Sequence, residues 1–272
     1  MKRAAIVVLL SLTLSSCAYN FVPIQSTVRP EVSSYPDPDG ADARRMMAQT
    51  VKINVEVVGK LFSKDAAGKV DVKDDSFGWM GSGSVVAVDA SRGKGESLVL
   101  TAAHVSSTPK IGTPMFSPDM MKMFVVEAVL MYVETNDGRS CLADQIAADV
   151  GLDMGVLRVY CVAGEVAEVA TELPPQGAMV TTCGAALGYH PAGVFIVTDG
   201  RYVGLTDDQP PEVVLTLPVA PGHSGSGVFY KGKIFAVVTK VFRSFHHITL
   251  ATELSQLQRL IGEARSTWST VR

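Results

Sequence analysis

Four cysteines in 272 residues, none in a Cys-x-x-Cys or paired Cys/His pattern, leave a structural zinc site without a ligand set. The five histidines are not spaced to converge on a metal either, so neither a metal nor a cofactor is expected. Runs of lysine or arginine are missing, and the formal net charge is −3. A nucleic-acid partner would need a basic stripe, so none is expected. Strand and helix patterns do not alternate, which argues against a parallel sheet with crossover helices. No internal repeat is visible. The apolar stretch Ala4–Leu14 is eleven residues long, too short to cross a bilayer as a helix. What remains is an ordinary globular composition, 47% hydrophobic and 19% charged, enough for one domain of two subdomains.

Short strand patterns dominate. Val51–Val58 alternates apolar and polar residues, as a half-buried strand does. Lys60–Gly78 is polar and reads as a loop. Strands are expected over Gly83–Val88 and Ser97–Thr101. Pro109–Met123 holds four methionines, the usual fillers of irregular gaps. Phe124–Thr135 is the next strand, closed by a strong hairpin turn, Asn136-Asp137-Gly138. Ser140–Ala148 and Met154–Tyr160 complete a first set, and Ala163–Gln176 reads as a linker. A second set follows over Met179–Ala185, Gly193–Val203, Val213–Pro218, Val228–Tyr230, Ile234–Phe242 and Ile248–Thr252. Two sets of short strands at regular spacing predict an all-β fold of two packed antiparallel barrels. Leu254, Leu257, Leu260 and Ile261 fall on one face of a C-terminal helix over Glu253–Arg265.

The chemistry centres on Pro221-Gly222-His223-Ser224-Gly225-Ser226-Gly227. Glycines on both sides of Ser224 let the chain turn sharply and leave successive N–H groups uncovered. A serine hydroxyl needs a base, and the base needs a carboxylate to orient it. His104 in Thr101-Ala102-Ala103-His104 and Asp153 at the head of an apolar strand supply both, in the order His, Asp, Ser. This set resembles the chymotrypsin-like (trypsin-like) serine peptidases, nearest to the bacterial Deg-type branch. Gly81-Ser82-Gly83 before the His block is similar too, and the likeness runs from about Thr50 to Ala251. Ser226 stands where that family carries Gly, and Gly155 where it carries Ala; both are small. The resemblance to the Deg-type branch is to its peptidase half only, and no PDZ-like domain is expected after it.

The resemblance implies two six-stranded barrels, about 50–161 and 177–252, within a peptidase domain of 46–265 that ends in the helix 253–265. It implies Ser224 as nucleophile, His104 as base and Asp153 as its orienting acid, with the Gly222 and Ser224 N–H groups as oxyanion hole. It further implies a primary pocket walled by Pro218, Val219, Val237, Val238 and Thr239, and polypeptide substrates. Asp144 and Asp149 are expected to be solvated, and His223 to be exposed. A disulfide Cys141–Cys161 is expected across the hairpin that carries Asp153, with Cys183 a buried free thiol. A rival, the Gly-x-Ser-x-Gly elbow of α/β-hydrolases, fails on order: no Asp follows Ser224, and Glu253 comes after His246 and His247. A peptidase-like scaffold protein with a silent triad is the alternative.

Met1-Lys2-Arg3, the apolar stretch and Leu14-Ser15-Ser16-Cys17 together resemble a bacterial lipoprotein signal. That implies removal of 1–16, acylation of Cys17, and a Pro-rich tether over 17–45. Ala18 after the cysteine implies the outer membrane of a Gram-negative cell, facing the periplasm.

Overall fold

The computed structural model describes residues 41–65, 68–91, 95–116, 122–188, 190, 194–241 and 247–270. Residues 17–40 of the expected tether, with Cys17 and the signal, lie outside them; 41–45 open a helix, α1 (Ala41–Gln49). The first barrel contains β1 (Thr50–Lys64), β2 (Val70–Asp89), β3 (Glu96–Thr101), β4 (Pro114–Phe116), β5 (Lys122–Glu134), β6 (Ser140–Asp149) and β7 (Met154–Val159). Its order is β1-β2-β3-β7-β6-β5, closed by pairing of β1 with β5, and the short β4 flanks β5. The second contains β8 (Glu168–Val169), β9 (Met179–Gly184), β10 (Ile196–Leu205), β11 (Glu212–Leu215), β12 (Gly227–Tyr230), β13 (Lys233–Val241) and β14 (Thr249–Thr252). Here the order is β12-β9-β10-β11-β14-β13, closed by β12 with β13, and β8 adds a two-residue parallel pairing. Two closed six-stranded antiparallel barrels are thus present, the chymotrypsin-like arrangement. A C-terminal helix, α3 (Leu254–Thr270), follows them.

The barrels share a core. Leu98, Leu100 and Met154 of the first meet Phe229, Ile234 and Val237 of the second. Leu257, Leu260 and Ile261 of α3 close the same cluster, as the periodicity predicts. Each such side chain contributes roughly 1.5–3 kcal/mol by leaving water. The seam between the barrels is therefore held by apolar packing.

The largest departure from expectation follows β1; smaller ones are α1, which begins inside the expected tether, and β8, which lies inside the expected linker. Lys60–Gly78 is not a loop: β1 and β2 run on as a hairpin, with Lys60 opposite Asp74 and Lys64 opposite Val70. Its polar residues satisfy their backbone in the ladder, and Lys60 Nζ meets Asp74 Oδ1 at 2.6 Å. A strand that buries neither face has no apolar period to betray it.

Cys141 and Cys161 form a disulfide, and Cys183 is a buried free thiol. The disulfide closes a 20-residue separation that contains the β6–β7 turn. Closing a loop of that size stabilises the fold by about 3 kcal/mol. Burial pushes the Cys183 thiol up to about 12, so it stays protonated and inert at neutral pH.

Candidate active site

His104 stands on a single helical turn, α2 (Ala103–Ser106), immediately after β3. The strand ends at the barrel rim, so the ring emerges there with 47% of its side chain exposed. Its Nδ1 lies 2.7 Å from Asp153 Oδ2, and its backbone N–H donates to Asp153 Oδ1 at 2.9 Å. A carboxylate only accepts, so Nδ1 carries a proton, and in the neutral ring Nε2 is then the nitrogen with the free lone pair. Asp153 holds this position from the β6–β7 turn with φ of 53°, a left-handed conformation that aspartate tolerates better than most residues. The other two carboxylates of this hairpin are held elsewhere. Asp144 pairs with Arg158 at 3.3 Å and Asp149 with Arg259 at 2.6 Å. Gly155 is imposed by its neighbour: a Cβ there would come within 2.3 Å of Ser106 Oγ.

Ser224 lies in the turn between β11 and β12. Gly225 follows it at φ +86°, where a Cβ would strike Ser82 O and Thr101 Oγ1, both at 2.2 Å. The glycine thus lets the turn sit flush against the strand end that leads to His104. The carbonyls of Pro221 to Ser224 are each engaged. Pro221 O accepts from Leu187 N–H at 2.6 Å, Gly222 O from Ser82 Oγ at 2.6 Å, His223 O from Ser226 N–H at 2.8 Å and Ser224 O from Ser82 N–H at 2.8 Å. The N–H groups of His223, Gly225 and Ser226 donate to Ala220 O, Val238 O and His223 O. Among the described residues, the N–H groups of Gly222 and Ser224 find no acceptor. In a planar trans peptide the N–H points opposite its carbonyl. The Leu187 and Ser226 bonds therefore set the directions in which these two donors point. Ser224 Oγ likewise makes no hydrogen bond among the described residues, to His104 Nε2 or to any other atom.

A cavity of about 600 Å³ opens beside Ser224, lined by Val219, Ala220, Pro221, Val238, Thr239, Lys240 and Val241. Val219, Val238 and Thr239 are where the sequence places them. Pro218 and Val237 are not on this wall. Val237 is fully buried in the core shared by the two barrels, while Val238 faces the other way on β13, is buried in the second barrel's own core and borders the cavity from there. Lys240 escaped the sequence reading; two residues beyond Val238, it lines the cavity and its Nζ meets Glu212 Oε1 at 2.7 Å. His223 is a correction as well. It is not exposed but 1% accessible, with Nδ1 accepting from Ala220 N–H at 3.3 Å. Burial holds its imidazole below the usual range, so it is neutral and braces the turn from inside.

Residues 81–237, more than half of the chain, match the family described as trypsin-like peptidase domain. No curated protein sequence matches the chain. Among solved structures, it is similar to Rv3671c of Mycobacterium tuberculosis, seen as a serine-to-alanine mutant in an inactive form. That match has 16% identity and a TM-score of 0.55 over 88% of this chain and 98% of the other. It is also similar to the serine endoprotease of Yersinia pestis, at 16% identity and a TM-score of 0.55, over 82% of this chain and 65% of that one. Likeness at this identity speaks for the fold.

Proposed function

The chain belongs to the trypsin-like peptidase family, and on that premise we propose that it is a serine endopeptidase working by a triad of His104, Asp153 and Ser224. The observation that carries the reading is the Ser224 turn itself, packed against the strand end that leads to a histidine oriented by a carboxylate, with two backbone N–H groups that find no acceptor among the described residues. Ser224 Oγ attacks the scissile carbonyl while His104 Nε2 takes its proton. The new C–O⁻ accepts from the Gly222 and Ser224 N–H groups. Asp153 steadies the imidazolium through Nδ1–H. Collapse breaks the C–N bond, His104 returns the proton to the leaving amine, and water then hydrolyses the acyl-enzyme by the same steps. The Oγ–Nε2 hydrogen bond forms when substrate closes the site, as such bonds commonly tighten on binding.

The substrate is an extended or unfolded polypeptide cleaved after a small to medium aliphatic residue. Val219, Val238 and Val241 give the cavity apolar walls, and none of its lining residues is acidic. A lysine or arginine side chain would lose hydration there without a counter-charge, and would face Lys240. Val238 donates to Ser226 O at 2.9 Å and accepts from Gly225 N–H at 2.8 Å. A substrate strand therefore pairs with β13 from Thr239 onward. Cleavage of a peptide library by residues 46–272, with Ser224→Ala beside it, is expected to show Val, Ala or Ile before the scissile bond. A dominant Arg or Lys there would sink the assignment.

The same proposal anchors the enzyme through lipidated Cys17 to the cell envelope, at the outer membrane facing the periplasm. The support is the Leu14-Ser15-Ser16-Cys17 sequence after a basic and apolar start. Several acyl chains hold a protein stably where one does not. Cys17→Ser is expected to move the protein to the soluble fraction or leave the precursor uncleaved. Unchanged membrane partition with the same mature N-terminus would refute the anchor.

A further inference from the structure

Ser82 of β2 is fully buried, and four hydrogen bonds converge on it. Its N–H donates to Ser224 O at 2.8 Å and its Oγ donates to Gly222 O at 2.6 Å. The same Oγ accepts from Ala185 N–H at 2.9 Å, while its carbonyl accepts from Thr101 Oγ1 at 2.7 Å. Ser224, Gly222 and Ala185 belong to the second barrel; Ser82 and Thr101 belong to the first. A single residue of one barrel thus grips the nucleophile's turn on the other.

The Gly222 carbonyl is the critical contact. It belongs to the Gly222–His223 peptide, which lies between the two peptides that carry the uncommitted Gly222 and Ser224 N–H groups. Peptide units are rigid planes, so turning the middle one changes ψ of Gly222 and φ of His223 and swings both neighbours. Gly222 has φ +99° and no Cβ to resist that rotation. A Cβ at Gly222 would lie 2.2 Å from Ala185 O, so the turn must keep glycine; inside the turn the same peptide is held by His223 N–H donating to Ala220 O at 3.0 Å, and Ser82 holds its carbonyl end from the other barrel. A hydroxyl offers one proton and two lone pairs, and this one uses the proton on Gly222 O and a lone pair on Ala185 N–H.

We infer that Ser82 is a positioning residue for catalysis: its hydroxyl, fixed by the first barrel, locks the Gly222 carbonyl and so keeps the Gly222 and Ser224 N–H groups set for an oxyanion. The inference rests on the serine-endopeptidase reading above and adds a residue that touches neither substrate nor the reacting atoms.

The test compares the wild-type protein with Ser82→Ala and Ser82→Cys on three readouts: kcat and KM for an aliphatic peptide substrate, affinity for a peptide boronic acid, and affinity for the matching peptide amide. The boronate adduct on Ser224 puts an oxygen where the oxyanion forms; the amide does not. Loss of an interaction made only in the transition state lowers kcat and leaves KM in place. Both variants are expected to lose kcat and boronate affinity by roughly 10- to 100-fold, short of the full loss of an oxyanion donor. Amide affinity and KM are expected to stay within about two-fold of wild type, as uniform binding is untouched. Cysteine fills the serine's space with only a weak donor, so it carries the test if Ser82→Ala does not fold. Boronate affinity that is unchanged, or that falls in parallel with amide affinity, overturns the role of Ser82. A wild-type protein that neither binds the boronate nor reacts with a fluorophosphonate overturns the peptidase reading itself, and the inference with it.

Discussion

Ser224→Ala is expected to lower peptide turnover by about 10⁴- to 10⁶-fold with little change in thermal stability. The hydrogen bonds that seat Ser224 run through its carbonyl, which accepts from Ser82 N–H, and alanine retains that carbonyl. The hydroxyl holds nothing among the described residues, so its removal takes away the nucleophile and leaves the turn. His104→Ala is expected to cost a similar factor. The double variant should be hardly worse than either single one, because the two groups act in one step. Steady-state assays on a Val-containing peptide measure the loss, and fluorophosphonate labelling shows whether Ser224 is activated in the wild type. Cleavage by Ser224→Ala at the wild-type rate would remove Ser224 from the mechanism. A folded wild-type protein that resists the label would favour the silent-site scaffold instead.

Asp153→Asn should cost about 10⁴-fold in kcat, again with the fold intact. Both carboxylate oxygens accept, Oδ1 from the His104 backbone N–H and Oδ2 from Nδ1–H. An asparagine amide has one oxygen and one NH₂. With its oxygen on the backbone N–H, its NH₂ faces Nδ1 and drives the ring proton to Nε2, where the base needs a lone pair. Flipped, the NH₂ opposes the His104 N–H. Asparagine also accepts the φ of 53° found at this position, so the backbone is not the cause of the loss. The checks are kcat/KM beside a melting curve. Activity within about tenfold of wild type would mean that Asp153 does not set the tautomer.

These two residues also mark how far the sequence could be read. The motifs around His104, Asp153 and Ser224 are local, and each is legible because the chemistry demands that residue type among small neighbours. The Cys141–Cys161 pair was legible from local spacing: both cysteines flank the hairpin that carries Asp153, and counting outward from its turn sets them nearly opposite. The extended β1–β2 hairpin was not, because residues such as Asp71, Lys73 and Asp75 bury no face and carry no period. His223 looked like a surface histidine since nothing adjacent in sequence announces its burial. That burial comes from β9, whose Gly184 leaves room for it: a Cβ there would lie 3.0 Å from His223 Cδ2. Val237 and Val238 are the same residue type in the same strand and both are buried, and only the tertiary structure sends one to the core between the barrels and the other to the second barrel's core at the cavity edge.

By itself, then, the sequence determined which functional groups exist, which segments extend, and where glycine permits a turn. Those properties depend on side-chain chemistry and on neighbours a few residues away. Tertiary structure alone decided that His104 and Asp153, 49 positions apart, meet at 2.7 Å. It also decided that Ser82 of one barrel reaches Gly222 of the other, 140 positions away, and that the Gly222 and Ser224 N–H groups find no acceptor among the described residues. The physical reason is closure. Each barrel fixes its strand registers only when its first and last strands pair, and the directions of single peptide planes at the seam follow from packing between two closed barrels.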